Sequence, residues 1–276
     1  MSTSPLRSLL LLPVLLFPLA ATQAQTPAAS SLTPMSAPSS PAPAPAGQAA
    51  VAPPPFGMAD NTELIYRVLD GAGKPNGELR QRVVTLASDE REESKKRKVT
   101  EATAALKSGL YNKKNGLIRL QDLTFRSRRD TCFTDGLAHL NSDALKSFRD
   151  RKLVYNATPL AWPNQPAVGS TLPAGGVSVQ VSSSVVSIAT VSTMLRKRRV
   201  VSGPTSLTTP AGTFACYKVE SARESATVPR PDMAMRTTVK QVDYYAPGVG
   251  LIRTEIYDRK GKVDQVLELA ARNTNP

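Results

Sequence analysis

LTTPAGTFACYKVES (207–221) and VKQVDYYAPGVGLIRTEIYDRKGK (239–262) are the stretches whose reading decides the fold. In each, apolar and polar residues alternate between turns built on Gly and Pro. That period of two marks half-buried strands, and the turns mark antiparallel hairpins. Between them lies a basic segment that reads as an irregular loop.

Working outward, the same turn chemistry recurs. Tyr66 to Lys74, Tyr111 to Gly116 and Tyr257 to Lys262 each end a strand-like run with Asp or Asn, followed closely by Gly. An Asx side chain bonds back to its own backbone and Gly accepts positive φ, so each is a tight hairpin turn. Their spacing is irregular and describes no repeat architecture. Strands are expected at Glu63 to Leu69, Leu79 to Leu86, Leu117 to Phe125, Arg128 to Phe133, Lys152 to Asn156, Val177 to Val181, Val185 to Thr193, Val200 to Ser206, Leu251 to Tyr257 and Val263 to Ala270. Lys98 to Leu106 has a helical composition in a sheet-like context. Ser142 to Phe148 reads as a short helix capped by Ser142. Pro159 to Pro173 reads as a turn-rich bridge. The expectation is a mainly all-β chain: an antiparallel curved sheet, half-barrel or lipocalin-like barrel with one short helix.

The N-terminal part is of another kind. Arg7 followed by the apolar run Leu9 to Leu19 and by Thr22-Gln23-Ala24 reads as a signal peptide over 1–24, cleaved before Gln25. Residues 25–59 carry no charge and are dominated by Pro, Ala and Ser. Such a segment buries too little apolar surface to offset its ordering entropy, so it reads as a disordered, semi-rigid spacer. Residues 60–276 form the β-rich domain, long enough for one real core. The destination is the periplasm or the cell exterior.

The net charge of +13 is clumped. Lys95, Lys96, Arg97 and Lys98 form one cluster, Arg196, Lys197, Arg198 and Arg199 a second, and Arg126, Arg128 and Arg129 a third. The first two are candidate contacts for an anionic envelope component such as a lipid head group. No stacking platform or helix-turn-helix accompanies them, so nucleic acid is not an expected partner. Cys132 and Cys216 are the only cysteines, and in an oxidising compartment they read as a disulfide. Such a bridge would contribute about 4 kcal/mol in the chain-entropy model. No metal and no cofactor are expected: His139 is the sole histidine, and no Cys pair has ligand spacing.

TPAGTFACYK, YYAPGVGLIRTE and YDRKGK, with GSTLP at 169–173 and the neighbourhood of Cys132, resemble the TapB-like family of exported bacterial proteins. The resemblance spans Leu64 to Leu269. It implies a curved antiparallel sheet similar to lipoprotein-carrier or lipocalin-like half-barrels, and cysteines at the places of Cys132 and Cys216. The charged run DEREESKKRK (89–98) and the Pro/Ala spacer depart from it. It implies no activity.

No catalytic motif is present. A nucleophile system would need His139, and no Gly-x-Ser-x-Gly elbow exists. His139 itself reads as a surface or capping residue. The expectation is therefore a non-enzymatic protein. One reading is a carrier whose concave face, with Val177, Val179, Val181, Ile188 and Val191, lines an apolar trough below a basic rim. The same valines can equally fill a closed core. The alternative is an adaptor that binds an envelope protein through the charged segment 89–98.

Overall fold

The computed structural model describes residues 52–274, apart from 95–96, 184–185 and 231–232. Among them are fourteen strands in one antiparallel sheet, nearly closed into a barrel. In chain order they are β1 (Glu63–Asp70), β2 (Pro75–Ser94), β3 (Arg97–Asn112), β4 (Leu117–Arg128), β5 (Thr131–Thr134), β6 (Lys152–Thr158), β7 (Leu160–Pro163), β8 (Thr171–Leu172), β9 (Gly175–Ser183), β10 (Val186–Thr209), β11 (Gly212–Arg230), β12 (Met233–Ala246), β13 (Gly250–Tyr257) and β14 (Val263–Asn273). The spatial order is β6-β9-β10-β11-β12-β13-β14-β1-β2-β3-β4-β5-β7, with β8 on β10. β14 pairing with β1 joins the last strand to the first.

The three echoing turns are built as their sequences dictate. The Oδ1 of Asp70 accepts from the N–H of Ala72 and Lys74, that of Asn112 from Lys114 and Gly116, and that of Asp258 from Lys260 and Lys262, all at 2.8–2.9 Å. Gly73, Asn115 and Gly261 take the positive φ. Antiparallel alternation sets all three turns at one end of the barrel. The turn between β12 and β13 lies at the other.

Several elements differ from expectation. The 98–106 run lies within β3, because its alternation puts Ala102, Ala104 and Leu106 in the core between two partner strands. Pairing and burial outweigh helical propensity there. The basic segment after Ser221 is a paired hairpin of β11 and β12, not an irregular loop. The bridge at 159–173 contains β7 and β8. Asp143–Phe148 is a 3-10 helix, and Ser142 does not cap it; the Asn141 Oδ1 accepts from the N–H of Asp143 and Ala144 instead.

The segment expected to be spacer is also changed at its described end. Ala52, Phe56 and Met58 are buried, and Phe56 meets Phe125 edge to face with centroids 5.9 Å apart. Phe56 and Gly57 adopt positive φ in a 3-10 turn. Arg272 clamps that turn by donating to the carbonyls of Phe56, Gly57 and Val249 at 2.8–3.0 Å. Two large apolar side chains in a Pro-rich run are enough to seat it as a plug. The rest of the expected spacer and the whole signal segment, 1–51, lie outside the described residues.

Two apolar clusters result. The main one runs from Phe56 and Tyr66 through Leu106, Leu123 and Trp162 to Tyr245 and Ile252. The smaller one joins Leu145 to Val177, Val179, Val181, Ala189 and Val191, with Phe148 and Leu153 packed on it. The valines expected to line a trough therefore fill a closed core beneath the 143–148 turn.

Cys132 and Cys216 are free thiols buried in the main cluster, not a disulfide. They sit on β5 and β11, which are not neighbours in the sheet. The Cys132 Sγ accepts from the Phe56 N–H at 3.4 Å. Burial raises both thiol pKa values, that of Cys216 to about 11. Each behaves as a small core residue.

Candidate functional site

A cavity of about 520 Å³ opens inside the barrel, within the usual range for a small-molecule site. Near the plug its wall is apolar, with Phe56, Met58, Leu64, Phe125 and Leu251. Towards the end with the three turns, the exposed residues Asn141, Asp143 and Asp264 mark its mouth. Between lies a polar band made by Arg119, His139, Arg223 and Gln241.

Strand parity explains why these side chains face inward. On β4, Arg119 shares the inner face with Gln121, Leu123 and Phe125. On β11, Arg223 follows Val219 and Ser221. On β12, Gln241 precedes Asp243 and Tyr245. Successive strand residues alternate faces, so the arginines project to the same side as the core residues two and four places away. His139 arrives differently. Asp135 ties down the Gly136–His139 3-10 turn by accepting from the N–H of Leu137 at 2.9 Å and of Thr124 at 3.0 Å. Gly136 has no room for a side chain: a Cβ there would lie 2.1 Å from the Gly176 carbonyl oxygen and 2.3 Å from that of Thr158. The turn is thus pressed onto the β6–β9 backbone and delivers the imidazole to Arg223.

The Arg223 Nη1 donates to the Gln241 Oε1 at 3.1 Å and lies 3.4 Å from the His139 Nδ1. The Gln241 amide donates to both carboxyl oxygens of Asp243 at 3.0 Å, and the Thr254 hydroxyl donates to its Oδ1 at 2.7 Å. Arg119 donates to the Leu140 carbonyl at 2.5 Å. Among the described residues no carboxylate forms an ion pair with Arg119 or Arg223. Arg253, which also lines the cavity, is neutralised by Glu255 at 2.9 Å and Glu268 at 3.6 Å.

Burial and charge set the protonation states. The His139 pKa is pushed down to about 3, first by burial and then by the charges of Arg223, Arg198 and Arg119. The imidazole is neutral at neutral pH and is not a surface or capping residue. Burial also lowers Arg119 and Arg223, with Asp143 and Asp243 respectively opposing the shift. Asp243 is held above the usual carboxylate range because burial outweighs its hydrogen bonds and the nearby Arg198 and Arg223 charges. The buried carboxyl of Asp243 therefore faces two guanidiniums, the fully buried Arg198 and the part-buried Arg223.

The exterior clusters are described in part, and the second is not assembled as expected. Lys95 and Lys96, and the side chain of Arg97, lie outside the described residues. Lys98 pairs with Glu90 at 3.3 Å. Arg196 pairs with Glu224 at 2.7 Å, and Arg199 donates to the Gly169 carbonyl at 3.1 Å. Arg198 is fully buried, so it is no surface anion contact. The cause is a bulge between Arg196 and Arg199, where Lys197 takes φ +50°. One extra residue shifts the parity, so Leu195, Arg198 and Val200 all point inward. Arg198 donates to the carbonyls of Ala161 at 3.0 Å and Pro173 at 2.9 Å, and its guanidinium lies 4.5 Å from the Trp162 ring centroid. It bridges β10 to β7 across the seam of the barrel.

A family model described as DUF3108-like matches residues 60–269. The TapB-like family, which the turn motifs resemble, is not the family this match names. Two solved structures share the fold. One, from Bacteroides fragilis, is described as inferred to be exported, with a YmcC-like fold. It is 17% identical, with a TM-score of 0.54, and the alignment covers 81% of this chain and 100% of that one. The other, from Parabacteroides distasonis, is inferred to be a lipoprotein. It is 19% identical, with a TM-score of 0.58 and coverage of 82% and 100%. No curated protein matches the chain.

Proposed function

The chain belongs to the DUF3108-like family, and we propose that it is an exported binding protein whose barrel takes a small amphiphile into its interior. The observation that carries this reading is the cavity itself: about 520 Å³, apolar at one end and polar at the other, inside a sheet that elsewhere packs its core closed. Well-packed interiors leave few voids larger than a water molecule, and each costs stability. A void of this size with two-ended chemistry is what an amphiphile requires. Export is supported by the signal-like N-terminus and accords with the descriptions of the two structural neighbours. The ligand would sit inside the barrel. The trough of valines, Lys98 and Lys197 are not part of this site.

Native mass spectrometry of the mature chain, purified gently from its own envelope and followed by organic extraction, tests the reading. The expected result is a stoichiometric adduct that extracts into organic solvent. An apo mass, together with failure of a fluorescent apolar probe to enter the purified protein, sinks it.

A further inference from the structure

We infer that the occupant carries an anionic head, carboxylate or phosphate, and that Arg119 and Arg223 hold it at the polar band of the cavity. This deepens the proposed function and rests on it. The argument is one of charge and of unfilled donors. Arg223 is turned into the cavity, and its hydrogen-bond partners in the structure are the Gln241 oxygen and the His139 nitrogen. Arg119 lines the same cavity, and its partner is the Leu140 carbonyl. A guanidinium has five N–H donors in a planar fork that fits a carboxylate or phosphate. Each of these two keeps donors to spare beside a void.

A buried charge is normally paired, because an isolated one loses its hydration without return. The surroundings of Arg119 and Arg223 do not supply that pairing. Asp243 is shared with Arg198 and is already bonded by Gln241 and Thr254. Asp143 stands at the mouth and pairs with Lys146 at 2.7 Å. His139 stays neutral between the arginines, so it adds a polar contact without a competing charge. An anion placed between Arg119 and Arg223 would supply the missing counter-charge. The apolar wall towards Phe56 and Met58 would receive its hydrophobic body.

The test compares heads on one tail. Dodecanoate, dodecyl phosphate and dodecanol compete against a fluorescent apolar probe bound to the delipidated mature chain. The expected result is that at least one of the two anions displaces the probe at about tenfold lower concentration than the alcohol, the size of a charge-assisted hydrogen bond. Arg223→Met and Arg119→Met should each shrink that gap by weakening the anion more than dodecanol. The preferred anion then assigns the head as carboxylate or phosphate. If dodecanol matches both anions on the wild-type chain, the head-group inference is overturned and the amphiphile reading stands. An anion preference that survives both substitutions but vanishes in Arg196→Glu/Lys197→Glu overturns it in favour of an exterior site. If none of the three displaces the probe, or the probe does not bind, both readings fail together. The wild-type comparison needs no variant, so a misfolded mutant does not blunt it.

Discussion

Arg198 and Arg223 are inward-facing guanidiniums on neighbouring strands, the first fully buried and the second partly, and they are finished in opposite ways. Arg198 ends on two backbone carbonyls and an indole face, all supplied by the fold. Arg223 ends on a Gln, a neutral His and a cavity. Both lie close enough to Asp243 to feel its charge. Burial of a cation therefore does not by itself say whether it serves structure or ligand. Each guanidinium makes two hydrogen bonds, and the Arg198 Nε has no hydrogen-bond partner among the described residues. What distinguishes the two is what lies beside the guanidinium: an indole face at the seam, and open space at the cavity.

The seam side should yield the largest stability changes. Trp162 is almost fully buried, lies with its ring centroid 5.1 Å from that of Tyr245, and donates to the Thr134 hydroxyl at 2.9 Å. Trp162→Ala should cost about 4 kcal/mol in urea unfolding. Arg198→Ala should follow at about 3 kcal/mol, because it strands the buried Ala161 carbonyl, releases that of Pro173 and removes a charge near Asp243. Arg223→Met should stay within about 1 kcal/mol of wild type, in either direction, since an apolar side chain relieves an incompletely paired charge. Equal losses at Arg198 and Arg223 would erase the distinction and make Arg223 a structural residue.

Acid should act through the cavity side. His139 is neutral in the fold, with its pKa near 3, whereas the unfolded imidazole titrates at about 6.5. The folded pKa is depressed, so below about pH 6.5 the unfolded state binds the extra proton. Stability present above that pH is lost as pH falls towards the folded value. The groups facing the ring are Arg223, Arg119 and Arg198, all cationic, and none relieves the penalty. Between pH 7 and about pH 4.5 the wild type should lose about 2 kcal/mol more than His139→Gln, measured by urea titration of both proteins. Parallel losses would mean that the imidazole is already solvated through the cavity mouth.

How much of this was legible in the sequence depends on the kind of signal. The hairpins were, because Asp70, Asn112 and Asp258 announce their turns locally. Parity also carried the site. Arg119 stands two places before Gln121 and four before Leu123, and Arg223 stands two after Ser221, so counting charges on the inner face would have found both. Reading basic residues as runs drew the eye to 95–98 and 196–199 instead. The bulge at Lys197 was not legible: a single inserted residue leaves no compositional mark, yet it decides that Arg198 faces inward. His139 was not legible either, since its environment comes from β11, more than 80 residues away in the chain. The plug was hidden by its own composition, because two apolar residues in a Pro-rich run look like spacer until a barrel end is there to receive them.

The exterior should give the smallest effects, and there the comparison is sharpened by contrast. Lys98 and Arg196 are each paired with one glutamate across a hairpin, in largely exposed positions. Such pairs gain little in water, cost side-chain entropy and are screened by salt. Lys98→Ala and Arg196→Ala should each change unfolding free energy by less than about 0.5 kcal/mol. Neither should alter displacement of a cavity-bound probe by dodecanoate. Lys98 and Arg196 end on glutamate partners and the seam cation on carbonyls, whereas Arg119 and Arg223 at the cavity are still short of a counter-ion. If Arg196→Ala weakened anion displacement as much as Arg223→Met, the deciding charge would be the field of the whole basic surface. Raising the salt concentration separates the two cases. A surface field fades with screening, while a contact inside the barrel persists.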